Sequence, residues 1–118
     1  MKFFVTGVGG QLGHDVMNEL LKRGHEGVGS DIQETYSGVA DGSAVTKAPY
    51  VALDITNKEA VEKVITEVKP DAVINCAGFG ISGAVEFTSM EQAKAQFDVN
   101  FFGTVTVNKA VLPFMRRQ

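Results

Sequence analysis

The chain opens with Lys2-Phe3-Phe4-Val5-Thr6-Gly7-Val8-Gly9-Gly10-Gln11-Leu12-Gly13, in which a short apolar run passes through a glycine-rich turn into a helical pattern. Glycine in such a turn lets the backbone approach a pyrophosphate that a β-carbon would exclude. The free N–H groups and the positive dipole end of the following helix then attract the anion. This order predicts a nucleotide or dinucleotide site, with the binding residues Gly7, Gly9, Gly10, Gln11, Leu12 and Gly13.

Asp31 supports the same interpretation. It lies about eighteen positions beyond Gly13, at the end of a second apolar stretch, where an acidic residue can accept hydrogen bonds from an adenosine ribose. Its charge would repel a 2′-phosphate, so we expect NAD, or an ADP-like fragment of it, to bind in preference to NADP. The alternative is a plain tight turn followed by a solvated surface aspartate.

Apolar runs and helical patterns alternate along the chain and predict an α/β fold. We expect a partial Rossmann-like, doubly wound fold in a single domain of residues 1–118, with a four-stranded parallel sheet of order 3-2-1-4 flanked by helices. The fourth strand is nearly all apolar, which is typical of a strand buried on both faces. Residues 33–48 are interpreted as a long loop. The predicted strands are 2–6, 26–30, 50–53 and 72–76, and the predicted helices begin at residues 11, 56 and 88.

Capping and breaking residues set the predicted helix ends. Thr56 with Glu59, and Thr88 with Glu91, match the capping-box pattern. Gly24 and Pro70 are expected to end the first two helices, and Pro113 to kink or end the last near Met115. A stripe at helical spacing runs along this last helix: Phe97, Phe101, Val105, Asn108 and Leu112.

Composition narrows the class of protein. A net charge of −3 without a basic stripe argues against nucleic-acid binding. No apolar run approaches the ~18 residues of a membrane span, and no signal-peptide pattern is present, so we expect a cytoplasmic protein. Cys76 is the single cysteine. His14 and His25 lack metal-ligand spacing and are expected to be solvated or to complement the helix dipole, so we predict no metal site.

Several motifs resemble the short-chain dehydrogenase/reductase superfamily. Thr6-Gly7-x-x-Gly10-x-x-Gly13 resembles the glycine motif of its extended branch, and residues 1–77, with Leu53-Asp54-Ile55-Thr56, are similar to the dTDP-4-dehydrorhamnose reductase group. The resemblance implies that Asp54, beside Ile55, contacts the adenine. It also implies that a segment after the fourth strand lines the cofactor, namely Asn75, Ala77 and Gly78.

From Gly78 onward the sequence resembles the single-domain branch of the superfamily instead. In that branch the asparagine equivalent to Asn100 belongs to a catalytic tetrad and supports a lysine through a water. The change near residues 75–78 leads to the hypothesis that the chain is an engineered chimera of two homologous fragments. A natural but divergent member of the superfamily is the alternative.

The catalytic pair of the superfamily is missing from this sequence. That chemistry uses a tyrosine with a lysine four residues later, whose charge lowers the pKa of the phenol. The chain has two tyrosines, Tyr36 and Tyr50, and the residues four positions on are Ala40 and Asp54. We therefore expect no complete catalytic set and no turnover, with the sequence ending before the fifth strand that would precede the tyrosine.

Three functions remain open at this point. The chain could be a nucleotide-binding half-domain without turnover, a fragment of an active NAD(P)-dependent reductase, or a chimeric fold with no selected activity. The apolar edge of the fourth strand and the stripe on the last helix also predict a homodimer.

Overall fold

Four parallel strands form one sheet in the computed structural model, which describes residues 1–38 and 48–118. The strands are β1 (Lys2–Thr6), β2 (Glu26–Asp31), β3 (Tyr50–Ala52) and β4 (Ala72–Asn75). The order across the sheet is β3-β2-β1-β4, which confirms the predicted Rossmann-like arrangement. Residues 39–47, most of the predicted long loop, lie outside the described part of the chain.

Helices cover both faces of this sheet. They are α1 (Gln11–Lys22), α2 (Lys58–Val68), α3 (Met90–Phe97) and α4 (Thr104–Arg116), and a short 3-10 helix, Val85–Phe87, precedes α3. Successive strand residues point to opposite faces. Phe4 packs in a core cluster with residues of α2 and α4, whereas Val5 packs in a second cluster with Met17 of α1.

Strand β4 is less buried than its apolar sequence predicted. Ala72, Val73 and Ile74 are half-buried and Asn75 is exposed, so the prediction of burial on both faces was wrong. The strand pairs with β1 along one side, and within residues 1–38 and 48–118 no strand pairs with its other side. An edge strand has fewer neighbours than a central one, which explains its partial exposure.

Both predicted capping boxes were placed one residue too early. Asn57 caps α2, because its Oδ1 accepts a hydrogen bond from the Ala60 N–H over 3.1 Å. The capping box of α3 is made by Ser89 and Gln92, whose side chains exchange hydrogen bonds with each other's backbone N–H groups. Lys69 adopts left-handed backbone (φ 51°) directly after α2, in agreement with the predicted stop at Pro70.

The last predicted helix is divided into three parts. A π-helical segment, Asp98–Gly103, separates α3 from α4, and it widens the turn in the middle of the predicted helix. Pro113 lies inside α4, which continues to Arg116, so this proline does not end the helix. Val107 and Val111 face the core against α2. Most of the predicted stripe faces outward instead: Phe97, Phe101, Val105 and Leu112.

Candidate functional site

The turn between β1 and α1 requires glycine at two positions. Gly7 has a φ of 68°, and a β-carbon there would lie 2.5 Å from the carbonyl of Cys76. A β-carbon on Gly13 would lie 2.1 Å from the carbonyl oxygen of Gly7. Gly13 therefore lets the start of α1 pack on the turn after β1, and Gly7 lets that turn pack on the backbone after β4. The predicted approach of a pyrophosphate to this turn stays a prediction.

The amino end of α1 is open to an anion. The N–H groups of Gln11, Leu12 and Gly13 precede the first intrahelical bond, which His14 N–H donates to the Gly10 carbonyl over 3.0 Å. Gly10 is the N-cap residue, so no side chain caps these N–H groups, and the first turn of α1 contains no acidic side chain. The helix dipole and these donors together suit a phosphate group.

The carboxylate of Asp31 lies against the glycine turn. Its Oδ2 accepts a hydrogen bond of 2.9 Å from the Gly9 N–H, and its Oδ1 accepts one of 2.8 Å from the Ile32 N–H. Each carboxylate oxygen keeps a further lone pair for a ligand hydroxyl. The structure thus brings together Asp31 and the turn, two features that lie far apart in the sequence.

A cleft of about 240 Å³ opens at the carboxyl ends of the strands, next to this turn. In a parallel sheet this edge is the usual place for a ligand. Half of the predicted binding residues line the cleft, namely Gly7, Asp31, Asp54, Ile55, Ala77 and Gly78. The others, Gly9, Gly10, Gln11, Leu12, Gly13 and Asn75, are not among its lining residues.

Side chains that sequence reasoning missed complete the cleft. They are Thr6, Ser30, Ile32, Leu53, Phe79 and Val99. Ile32 and Leu53 directly neighbour the predicted residues Asp31 and Asp54, so adjacency alone could have indicated them. Val99 comes from the π-helical segment and had no signal in the sequence, because its place depends on how that segment packs against the core.

The hydroxyl of Ser30 is unusual within the described residues. Its oxygen is buried and has no hydrogen-bond partner among residues 1–38 and 48–118. A buried polar atom without a partner costs free energy. Ser30 lines the cleft, so a polar ligand or a water molecule held there could remove that cost.

Two hydroxyls fix the backbone around the cleft. The buried Thr6 Oγ1 accepts hydrogen bonds of 3.2 Å from the N–H groups of both Cys76 and Ala77 and so holds the end of β4 against β1. The Thr56 hydroxyl and N–H both donate to Asp54 Oδ1, over 2.7 and 2.9 Å. No other side-chain bond to Asp54 is found in the described part of the chain, so its second oxygen remains available to a ligand.

Two predicted site residues have structural partners instead of cleft positions. Asn100 makes a two-point contact with the Phe79 backbone: its Oδ1 accepts from the N–H (2.9 Å) and its Nδ2 donates to the carbonyl (2.7 Å). Asn75 donates from Nδ2 to Asn108 Oδ1 of α4 over 3.0 Å. Asn100 anchors the segment after β4 to the π-helical segment, and Asn75 anchors the end of β4 to α4. The cofactor-binding role of Asn75 and the match of Asn100 to a tetrad asparagine stay predictions.

His14 is buried, so the prediction that it is solvated was wrong. It lies on the face of α1 that meets the segment after β2, and its Nδ1 is 2.5 Å from the hydroxyl of Tyr36.

Burial and the nearby negative charge of Asp31 raise the pKa of the Tyr50 phenol, and burial raises the pKa of the Cys76 thiol. Within residues 1–38 and 48–118, no cluster of three or more metal-ligating side chains is found.

The fold and the cleft together define a class: an α/β domain of the Rossmann-like, nucleotide-binding type. The chain belongs to the NAD dependent epimerase/dehydratase family, whose sequence profile matches residues 3–115. This confirms the superfamily-level resemblance. In the described part of the chain, no helix has the length and apolar character needed to cross a bilayer.

Individual relatives agree with this assignment. The chain is 34% identical over 118 residues to a 3-ketodihydrosphingosine reductase of Bacteroides thetaiotaomicron, covering 96% of this chain and 41% of the relative. A short-chain dehydrogenase from Streptomyces avermitilis superposes with a TM-score of 0.83 at 25% identity, covering 98% of this chain and 45% of its own. The UDP-glucose 4-epimerase of Thermus thermophilus, solved with NAD, superposes with a TM-score of 0.72 at 27% identity. This superposition covers 97% of this chain and 34% of the epimerase. The chain thus spans less than half of these relatives.

Proposed function

We propose that this chain binds the adenosine diphosphate part of NAD and has no turnover of its own. The observation that carries the proposal is the contact between Asp31 and the Gly9 N–H, because it holds a carboxylate beside an uncapped helix end, where a ribose hydroxyl could donate to it. The pyrophosphate would lie over the N–H groups of Gln11, Leu12 and Gly13. The ribose hydroxyls would donate to Asp31.

The adjoining cleft fits the adenine. Leu53, Ile55 and Val99 give it an apolar lining, and Asp54 supplies an acceptor at its edge. Flat aromatic ligands favour sites that are mostly apolar with a few fixed polar groups. The volume of about 240 Å³ suits one end of a dinucleotide rather than the whole molecule.

NAD is favoured over NADP by the charge of Asp31. A 2′-phosphate would meet a carboxylate that is already held in place by two backbone N–H groups. Like charges at such short range are repulsive, and the fixed carboxylate cannot easily turn away. The ribose of NAD, by contrast, offers hydroxyl donors to the same oxygens.

Isothermal titration calorimetry with ADP, NAD and NADP tests the proposal. We expect binding of ADP and NAD and weaker binding of NADP. Asp31→Asn removes the charge and should reduce the preference for NAD, whereas Asp71→Asn, at the opposite end of the sheet, should leave it unchanged. Absence of both heat and thermal shift at millimolar ADP and NAD would overturn the proposal.

The second candidate function is a fragment of an active NAD(P)-dependent oxidoreductase, such as a dTDP-4-dehydrorhamnose reductase. The 34% identity to a reductase over 96% of the chain favours it. It requires a proton donor from residues outside this sequence, because neither Tyr36 nor Tyr50 has a lysine four positions later. Both candidates therefore expect no steady-state oxidation of NADH by the purified chain, and turnover by that chain would contradict our proposal.

The third candidate is a chimeric fold joined near residues 75–78 with no selected activity. A single relative from B. thetaiotaomicron aligns over 96% of the chain, so it matches both sides of that position. This favours one continuous ancestry and leaves the chimera as the weaker alternative.

We also propose that two copies associate through β4 and the stretch from α3 to α4, which the sequence predicted as one long helix. Phe97 and Phe101 are 64% and 56% exposed, and the outer side of β4 has no partner strand in the described residues. Exposed apolar patches of this kind mark interaction surfaces. Light scattering should give a dimer for the wild type and a monomer for Phe101→Glu, and a monomeric wild type at high concentration would contradict this.

A further inference from the structure

Three aromatic side chains meet on the α1 side of the sheet, and we call them the aromatic cluster: His14, Tyr36 and Tyr50. The ring of Tyr36 is stacked with that of His14 at 6.2 Å between centroids and meets Tyr50 edge-on at 6.5 Å. Tyr36 and Tyr50 also pack against the core cluster of Val5, Val8 and Met17. The cluster therefore connects α1, β3 and the segment that follows β2.

That segment, residues 32–38, contributes its first residue to the wall of the cleft. It begins at Ile32, which lines the cleft and is 62% exposed, directly after Asp31. The side chains of residues 33–35 are exposed too, so they bury little surface that could hold the backbone in place. Its shape must therefore depend on contacts made by a few other groups.

The aromatic cluster supplies two of those contacts. The Tyr50 hydroxyl donates a hydrogen bond of 2.5 Å to the carbonyl oxygen of Gln33, and the Tyr36 hydroxyl is bonded to His14 at the other end of the segment. Gln33 is the residue next to Ile32. The Tyr50 hydroxyl thus fixes the backbone one residue away from the wall of the cleft.

We propose that Tyr50 is a positioning residue for the adenosine end of the nucleotide, acting through Ile32 with Tyr36 and His14 as its support. The inference rests on the proposed function and assigns a role to a tyrosine that lacks the lysine needed for catalysis. Tyr50 does not line the cleft and need not touch the ligand. Because the Tyr50 hydroxyl already orders the backbone next to Ile32, the ligand loses less binding free energy to ordering this residue.

A double-mutant cycle tests this role. The first variant, Tyr50→Phe, keeps the ring and removes the hydroxyl. The second, Ile32→Ala, removes the side chain that lines the cleft, and the third carries both substitutions. Each single change should weaken ADP-ribose binding in calorimetry, Tyr50→Phe by about three- to tenfold as expected for one hydrogen bond. If Tyr50 acts through Ile32, its effect should shrink to less than about twofold in the Ile32→Ala background.

Thr66→Val provides the matched control. It also removes a hydroxyl that donates to a carbonyl, that of Glu62, but within α2 and away from the cleft. We expect no change in ADP-ribose affinity for this variant. A thermal melt of each variant without ligand separates loss of folded protein from loss of affinity.

The outcomes separate the two proposals. A wild type that does not bind ADP-ribose overturns the proposed function. A wild type that binds, together with Tyr50→Phe at unchanged affinity, overturns only the positioning role. Full additivity of Tyr50→Phe and Ile32→Ala would also overturn it, because a merely structural hydroxyl has no reason to couple to Ile32.

Discussion

The two halves of the chain differ in how their functional residues are held. In the first half, the side chains around the glycine turn bond to backbone groups distant in sequence, as Thr6 does with Cys76 and Ala77, and Asp31 with Gly9. Between β4 and α4, large apolar side chains face outward instead, with Val85 and Phe87 89% and 83% exposed. Asn100 anchors this region, because its side chain makes two hydrogen bonds to the backbone of Phe79, shortly after β4.

This difference indicates where the chain carries its own function. The glycine turn and Asp31 are held by hydrogen bonds within the sheet and the turns that follow its strands. A surface of exposed phenylalanines gains stability only when another surface covers it. This contrast supports our proposals that the nucleotide binds at the glycine turn and the cleft beside it, and that the exposed apolar face between β4 and α4 mediates association.

The largest effect should come from Gly13→Ala. Its β-carbon would lie 2.1 Å from the Gly7 carbonyl oxygen, and backbone cannot yield easily there, so we expect a loss of about 3 kcal/mol or more in the free energy of unfolding. Gly80→Ala is the control, because a β-carbon there meets nothing within 4 Å. Urea unfolding curves measure both. Equal stability of the two variants would show that the turn is not tightly packed.

Val107→Ala and Val105→Ala compare the two sides of α4. Val107 is buried against α2, so its loss should cost about 2 kcal/mol through lost burial and a cavity. Val105 belongs to the exposed stripe, and its replacement should change the stability of the monomer by no more than about 0.5 kcal/mol. A similar cost for both variants in urea unfolding would mean that the stripe is covered in solution, as the proposed dimer requires.

Asn100→Ala tests the anchor of the second half. It removes both hydrogen bonds to the Phe79 backbone, and we expect a cost of about 1.5 kcal/mol. Amide exchange at Phe79 should become faster, because its N–H loses its acceptor. Asn108→Ala, which breaks one exposed bond to Asn75, should leave the exchange at Phe79 unchanged.

Ser89→Ala and Thr88→Ala distinguish the observed cap of α3 from the one predicted by sequence. Loss of the Ser89 hydroxyl should cost about 1 kcal/mol, since it satisfies the Gln92 N–H. Loss of the Thr88 hydroxyl, whose contact with the Ala84 carbonyl is long at 3.4 Å, should cost less than about 0.5 kcal/mol. The reverse ranking in urea unfolding would restore the predicted capping box.

The strands and their order could be predicted because the apolar runs are separated by clear breakers such as Gly24 and Pro70. Helix starts were harder. Residues 88–92 contain two overlapping capping-box patterns, and propensity alone does not decide between Thr88 and Ser89. At the start of α2, Thr56 is drawn away from capping by its bonds to Asp54, a contact that depends on the backbone after β3.

The site shows the same limit. The glycine turn and Asp31 were recognisable because their spacing reflects one compact unit of strand, helix and strand. The burial of His14, the unpartnered hydroxyl of Ser30 and the place of Val99 in the cleft arise only when separate elements of the described chain pack together. No periodicity in the sequence encodes those contacts.

The most direct test of the account is a titration of the ¹⁵N-labelled chain with NAD, followed by the shifts of its amide resonances. Nucleotide binding at the glycine turn and its cleft predicts saturable shifts at Gly9, Asp31 and Ala77 and little change at Phe97 and Phe101 on the exposed face. Shifts confined to the exposed face, or none at millimolar NAD, would contradict the assignment of nucleotide binding to the glycine turn and its cleft.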